Sequence, residues 1–265
     1  MIKIGTAGIP LGCKTTLDAP KFLASVGLNA IEIEFVRSIY LNEESAKKVC
    51  IEAKKYNIGI SVHAPYFINL NSKNPAVIQN SKNILIRCLK ICDCLEANVL
   101  VVHTAYYSDK SKEETFDNVK THIKDILNKA QSKTLFGVEV MGKQTQFGSL
   151  EEVLKLCSQI KQTAPIVDFA HIHARGNGCL NTKKDFENVL QTCKTYGFEK
   201  LHCHYSGILF KDGNEKKHLE IESKSPDYNL LAEVLNEEKH NITFICESPS
   251  PLKDAVWFKN ILNKS

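Results

Sequence analysis

Eight times along its 265 residues this chain follows a short β-branched, apolar run with a longer amphipathic stretch. The runs, 2–7, 30–35, 58–63, 99–103, 135–140, 165–169, 200–205 and 242–247, read as strands by length and residue type. Helical periodicity fills 17–27, 43–57, 75–96, 112–131, 149–161, 182–197, 227–239 and 251–263. Asn42, Ser111 and Ser149 stand just before acidic first-turn residues, where a side-chain oxygen can accept from an unpaired backbone N–H. Alternating strand and helix demands parallel strands with right-handed crossovers, and eight such units normally close on themselves. An open doubly wound sheet is the rival, but no G-x-G-x-x-G follows the first strand. The expected fold is therefore α/β, a single (β/α)8 TIM barrel. No Gly/Ser tract, Pro tract or charge block divides the chain, so 1–265 is expected to form one domain.

The opening MIKIGTAGIP has one lysine and few apolar residues, which predicts neither an export signal nor a membrane span. The expected location is the cytoplasm. Ten cysteines scattered singly are then reduced thiols, with Cys88 and Cys92, four apart on a helix, packing as small hydrophobes. A net charge of +4 does not by itself demand a polyanionic partner.

In a barrel of this kind the chemistry is built where strands end and the following loops begin. Six consecutive strands end in a metal-type ligand: His63, His103, Glu139, Asp168, His202 and Glu247. Apolar strands usually exclude such residues, and a cluster of them is costly to bury unless cations offset the charge. Nitrogen and carboxylate donors without a thiolate favour zinc, with manganese or iron as substitutes. Six donors are too many for one tetrahedral ion, so at least two ions are expected, with the metal site on the C-terminal face. Glu139, central among the six, is the candidate bridging and catalytic carboxylate. His171 and His218 extend the set, and His173 and His204 repeat the two-residue alternation beside His171 and His202, as substrate contacts or structural residues. An ion pair of this type suits hydrolysis of a phosphate ester. Only three of the 34 basic residues are arginine, and Arg37 and Arg175 both fall in loops of this face, which suits phosphate contact.

The segment SVHAPYFINL, the later VVH, V-E-V, D-x-x-H, the L-H of the seventh strand, the loop histidine and C-E-S-P together resemble endonuclease IV, the type 2 apurinic/apyrimidinic endonucleases of the xylose isomerase-like superfamily. The resemblance spans nearly the whole chain. It implies a zinc enzyme of DNA repair that hydrolyses the phosphodiester 5′ to an abasic site in duplex DNA by a metal-bound hydroxide, and it suggests a monomer. It further implies that His63, His103 and Glu139 bind one zinc, that Glu139 bridges to a second held by Asp168, His202 and Glu247, and that His171 and His218 hold a third. Tyr66 matches an aromatic that enters the DNA near the lesion, and Arg37, Arg175 and His204 complete the expected DNA contacts. One departure bears on the third ion: the family's D-x-H reads Lys216-Lys217-His218 here, with Glu215 one residue out of register.

Two other functions fit parts of the pattern. A single-metal sugar isomerase or epimerase would use Glu139, Asp168 and Glu247 but has no need of histidine ligands on strands 3 and 4. A non-catalytic metal- or nucleic-acid-binding barrel is the third reading.

Overall fold

A computed structural model describes residues 1–263. Eight strands carry the architecture: β1 (Ile2–Ala7), β2 (Ala30–Glu34), β3 (Gly59–His63), β4 (Val99–Val102), β6 (Leu135–Glu139), β8 (Thr163–Asp168), β9 (Lys200–Tyr205) and β12 (Asn241–Cys246). All are parallel and close into a ring in the order β1, β12, β9, β8, β6, β4, β3, β2. The outer layer is α1 (Ala19–Ser25), α2 (Glu43–Lys55), α3 (Pro75–Leu95), α4 (Lys112–Ala130), α5 (Leu150–Ser158), α7 (Lys183–Thr195), α8 (Tyr228–Glu237) and α9 (Pro251–Leu262).

The helix caps form as the sequence predicts. Asn42 accepts from the N–H of Ser45, Ser111 from that of Glu114 and Ser149 from that of Glu152. Helices and strands share one apolar layer in which α3 buries Leu85, Leu89 and both Cys88 and Cys92. All ten cysteines are free thiols.

The barrel interior divides by height. Its lower part is apolar, with Val99, Val101 and Ile166 packed together. Gly137 faces this cluster, and a Cβ there would lie 2.7 Å from Ile166 Cδ1. Two residues further along β6 the same inward face carries Glu139, and the interior becomes polar.

Three elements on the C-terminal side go beyond the eight-unit reading. The stretch after β8 is a short helix, α6 (Phe169–Arg175), rather than a loop. After β9 comes an antiparallel hairpin, β10 (Gly207–Lys211) and β11 (Asn214–Leu219), which packs on α6. A small ribbon pairs β5 (Ala105–Tyr106) with β7 (Gln146–Phe147). No described helix is long and apolar enough to cross a membrane.

Candidate metal centre

Glu139 ends β6 and is fully buried among histidines. Its Oε2 lies 3.1 Å from His63 Nε2 and 2.9 Å from His103 Nε2. The His63 ring is held by its other nitrogen, which donates to the carbonyl of Ala64 at 2.7 Å. Pro65 ends the strand just beyond, and the chain turns so that half-exposed Tyr66 lies over both rings, with centroids 4.7 Å from His63 and 5.1 Å from His103.

The other oxygen of Glu139 faces a second group. Donor atoms of Glu139, Asp168, His204 and Glu247 all lie within 4.8 Å of one another. His204 Nδ1 stands 3.2 Å from Glu247 Oε1 and 3.4 Å from Glu139 Oε1. Glu139 Oε1, Asp168 Oδ2, His204 Nδ1 and Glu247 Oε1 are all buried without a hydrogen-bond partner among the described residues. Four converging donors of this kind are expensive to bury alone and fit a cation.

His202, expected in this group, is not in it. The β8–β9 register sets Asp168 beside His204 and Ile166 beside His202, so His202 stands two residues deeper. There its Nε2 lies 3.0 Å from Glu32 Oε2, while Glu32 Oε1 lies 2.8 Å from His204 Nε2. Glu32 escapes a search confined to strand ends because it occupies the middle of β2. The available signal was an acidic residue between Ile31 and Ile33, both buried.

A third group joins His171, Glu215 and His218. His171 Nε2 is 3.4 Å from both Glu215 Oε2 and His218 Nε2. His171 sits in the first turn of α6, where its N–H donates to Asp168 Oδ1 at 2.7 Å, so one aspartate caps the helix and faces the second group. The apparent one-residue displacement of Glu215 is absorbed by a β-bulge. Leu209 pairs with Lys217 but Phe210 pairs with Glu215, which leaves Lys216 as the extra residue. In a regular strand residues 215 and 218 would face opposite sides, and the bulge returns them to one.

Burial and charge act against each other throughout. Burial lowers the affinity of His63 and His171 for protons, but Glu139 beside the first and Asp168 and Glu139 beside the second outweigh it, raising them to about 9 and about 10. Burial raises the Glu139 carboxyl, yet His103 and His204 hold it well below the carboxylate range. Glu247 is pushed up to about 8, chiefly by burial, with His204 opposing.

The expected DNA contacts divide. Arg37 is exposed in the turn after β2. Arg175 is not available in the way the sequence suggests. It belongs to α6, and its guanidinium donates to the carbonyls of Met141 at 3.3 Å, Lys143 at 2.5 Å and Gln146 at 3.1 Å, and to the Tyr107 hydroxyl at 3.3 Å. His204 is fully buried within the donor cluster rather than on the surface. The three groups open onto a cleft of about 340 Å³ whose lining includes Tyr66, His103, Lys143, His171, Glu215 and His218.

Comparison with known proteins gives a consistent picture. A family model described as xylose isomerase-like TIM barrel matches residues 20–261. An uncharacterized protein of Methanocaldococcus jannaschii is 34% identical over 100% of this chain and 98% of its own length. The probable endonuclease 4 of Persephonella marina is 28% identical over 83% of this chain and 81% of its own. Among solved structures, endonuclease IV from Thermus thermophilus superposes with a TM-score of 0.80 at 19% identity, covering 98% of this chain and 97% of that one. A D-tagatose 3-epimerase-like protein has the same fold, with a TM-score of 0.72 at 21% identity and coverage of 98% and 96%.

Proposed function

Because the chain belongs to the xylose isomerase-like TIM barrel family, we propose that its rim is the active site of a metal-dependent phosphodiesterase that incises duplex DNA 5′ to an abasic site. Relatives named probable endonuclease 4 support a nuclease. The observation that carries the reading is the division of Glu139 between two groups. Its Oε2 faces His63 and His103, and its Oε1 faces the Asp168, His204 and Glu247 cluster, as a carboxylate shared by two ions would.

On this reading His63, His103 and Glu139 hold one ion, and Glu139, Asp168, His204 and Glu247 a second. His171, Glu215 and His218 hold a third, with Glu215 taking the part of the family aspartate. Imidazole and carboxylate donors favour zinc, with manganese as a substitute. Bound ions would lower the pKa of water and neutralise charge developing on the phosphate. Tyr66 offers a half-exposed ring where a nucleotide lacking its base leaves a gap, and Arg37 offers a guanidinium to the backbone. A nucleotide without a base leaves the stack at little cost, which favours this lesion. The oxygen of water bonds to phosphorus, the bond from phosphorus to the preceding 3′ oxygen breaks, and that oxygen leaves as a 3′-hydroxyl.

Nicking of a duplex with one tetrahydrofuran abasic analogue tests the proposal. Incision on its 5′ side is expected, with loss of activity on chelation and in Glu139→Gln. Zinc-loaded protein that leaves this duplex intact across a range of salt and pH would overturn it. The second reading, a single-metal sugar epimerase, is favoured by the fold shared with the D-tagatose 3-epimerase-like protein. One bound ion, with sugar epimerisation surviving His63→Ala and His103→Ala, would establish it instead.

A further inference from the structure

Glu32 has no part in the three groups just assigned, yet a carboxylate fully enclosed in the barrel needs a reason to be there. It stands on β2, across the interior from β9, and its two oxygens are divided between two histidines. Oε1 lies 2.8 Å from His204 Nε2, and Oε2 lies 3.0 Å from His202 Nε2. The opposite edge of the His204 ring presents Nδ1 to Glu247 Oε1 at 3.2 Å and to Glu139 Oε1 at 3.4 Å.

An imidazole can offer a lone pair to a cation only from the nitrogen that carries no hydrogen, and the partner of the other nitrogen decides which one that is. Left among Glu139 and Glu247 alone, His204 would place its hydrogen on Nδ1, where two carboxylate oxygens would accept it. That hydrogen would then point into the donor cluster. A carboxylate at Nε2 draws it to the far edge of the ring. His202 in turn hydrogen-bonds the second oxygen of Glu32, which restrains the carboxylate and keeps Oε1 at ion-pair distance, 2.8 Å, from His204 Nε2, both atoms being buried without a hydrogen-bond partner among the described residues.

We infer that Glu32 is a positioning residue: it holds His204 in the Nε2–H form with Nδ1 turned towards Glu139, Asp168 and Glu247, and His202 holds Glu32 in place. The inference rests on the metal-dependent reading above and adds to it a role for Glu32 and His202, whose donor atoms form with those of His204 a fourth cluster within 4.8 Å of one another.

Zinc alone is the probe, titrated into chelator-stripped protein in competition with a chromophoric chelator, with elemental analysis giving the stoichiometry. In Glu32→Gln, which keeps the side-chain volume, one zinc is expected to bind about 10- to 100-fold more weakly, while the number bound at saturation stays that of the unaltered protein. Long-range proton–nitrogen NMR of the histidine rings in unaltered, zinc-loaded protein supplies a readout that does not depend on the variant folding. His204 is expected to carry its hydrogen on Nε2. An Nδ1–H form would overturn the inference, as would unchanged affinity for every zinc in a folded Glu32→Gln. Loss of one whole zinc at saturation in both Glu32→Gln and His202→Gln would overturn it differently, by showing that Glu32 and His202 ligate an ion themselves. If the unaltered protein binds no zinc, the functional reading itself falls, and the inference with it.

Discussion

Gly142→Ala is the sharpest perturbation of the outer group. A Cβ at residue 142 would lie 2.6 Å from Glu215 Oε2, 2.9 Å from Glu215 Cβ and 2.9 Å from His171 Cδ2. Ordinary contact begins near 3.4 Å, so the carboxylate oxygen must retreat by 0.8 Å (3.4 − 2.6) and the ring carbon by 0.5 Å (3.4 − 2.9). The carboxylate end can swing aside, but the Glu215 Cβ, 2.9 Å away, and the His171 ring cannot move freely. The N–H of Glu215 donates to the carbonyl of Gly142 at 3.1 Å, which ties the Glu215 backbone to the substituted residue. The His171 ring is pinned by its Nδ1, which donates to the carbonyl of Val140 at 2.9 Å. Overpacking of this kind costs about 1–3 kcal/mol, which lowers Tm by a few degrees in a chain of this size. Ion sites tolerate ligand displacements of only about 0.2 Å, so the ion at His171, Glu215 and His218 should be lost or greatly weakened while the two at Glu139 stay. Zinc stoichiometry and a thermal melt, run side by side, measure both effects. A Gly142→Ala protein with its full complement of zinc and an unshifted melt would refute the assignment of Glu215 to that ion.

Two further outcomes follow from geometry and charge. Arg175→Ala should destabilise the protein by about 2–4 kcal/mol, because hydrogen bonds from a charged group to three carbonyls are lost; Arg37→Ala should leave stability alone and lower the salt dependence of DNA binding by about one phosphate. Urea unfolding and salt-dependent binding of an abasic duplex separate the two, and equal effects of both on the salt slope would return Arg175 to the DNA. In chelator-stripped protein Glu247, His63 and His171, raised to about 8, 9 and 10, are protonated at pH 7, so zinc must displace protons and should bind more tightly as pH rises towards 10. The same shifts fix the sign for stability. Groups raised in the folded state contribute below their unfolded pKa values, and that contribution is lost as pH climbs through the folded ones; histidines lowered by burial, His103 and His202 among them, act the other way but only below the ordinary histidine value near 6.5, so the stripped protein should weaken from about pH 7 to 10. Calorimetry in buffers of different ionisation enthalpy, which reads proton release directly, would contradict this if none were found.

Strand and helix content was legible in the sequence because each unit is locally consistent, and the observed bounds differ from the expected ones only where ends fray. His63, His103, Glu139, Asp168 and Glu247 were legible for the same reason: a charged residue closing an apolar run marks a rim. That His204 rather than His202 stands beside Asp168 was not. Alternation gives the face a side chain takes, whereas its height depends on the register between β8 and β9, a relation between segments more than thirty residues apart. Glu32 was hidden by the same gap, since its partners lie on β9. The hairpin was missed because NEKKHL is polar and lacks strand-like residues, and its bulge exists only through pairing with β10. Arg175 was misread because a loop was expected where α6 forms.

That hairpin brings Glu215 and His218 to the rim without joining the ring of parallel strands. It is tied to α6, to the Gly142–Gln144 segment, where the Gln144 N–H reaches Asn214 and the Glu215 N–H reaches Gly142, to Ser225 through the Ile208 N–H, and to the residue after β12 through His218 Nδ1, which donates to the carbonyl of Glu247 at 3.0 Å. Two of the three donors of the outer group therefore come from outside the cylinder, so a change in the hairpin's length or charge would alter that group without breaking a strand pair of the ring.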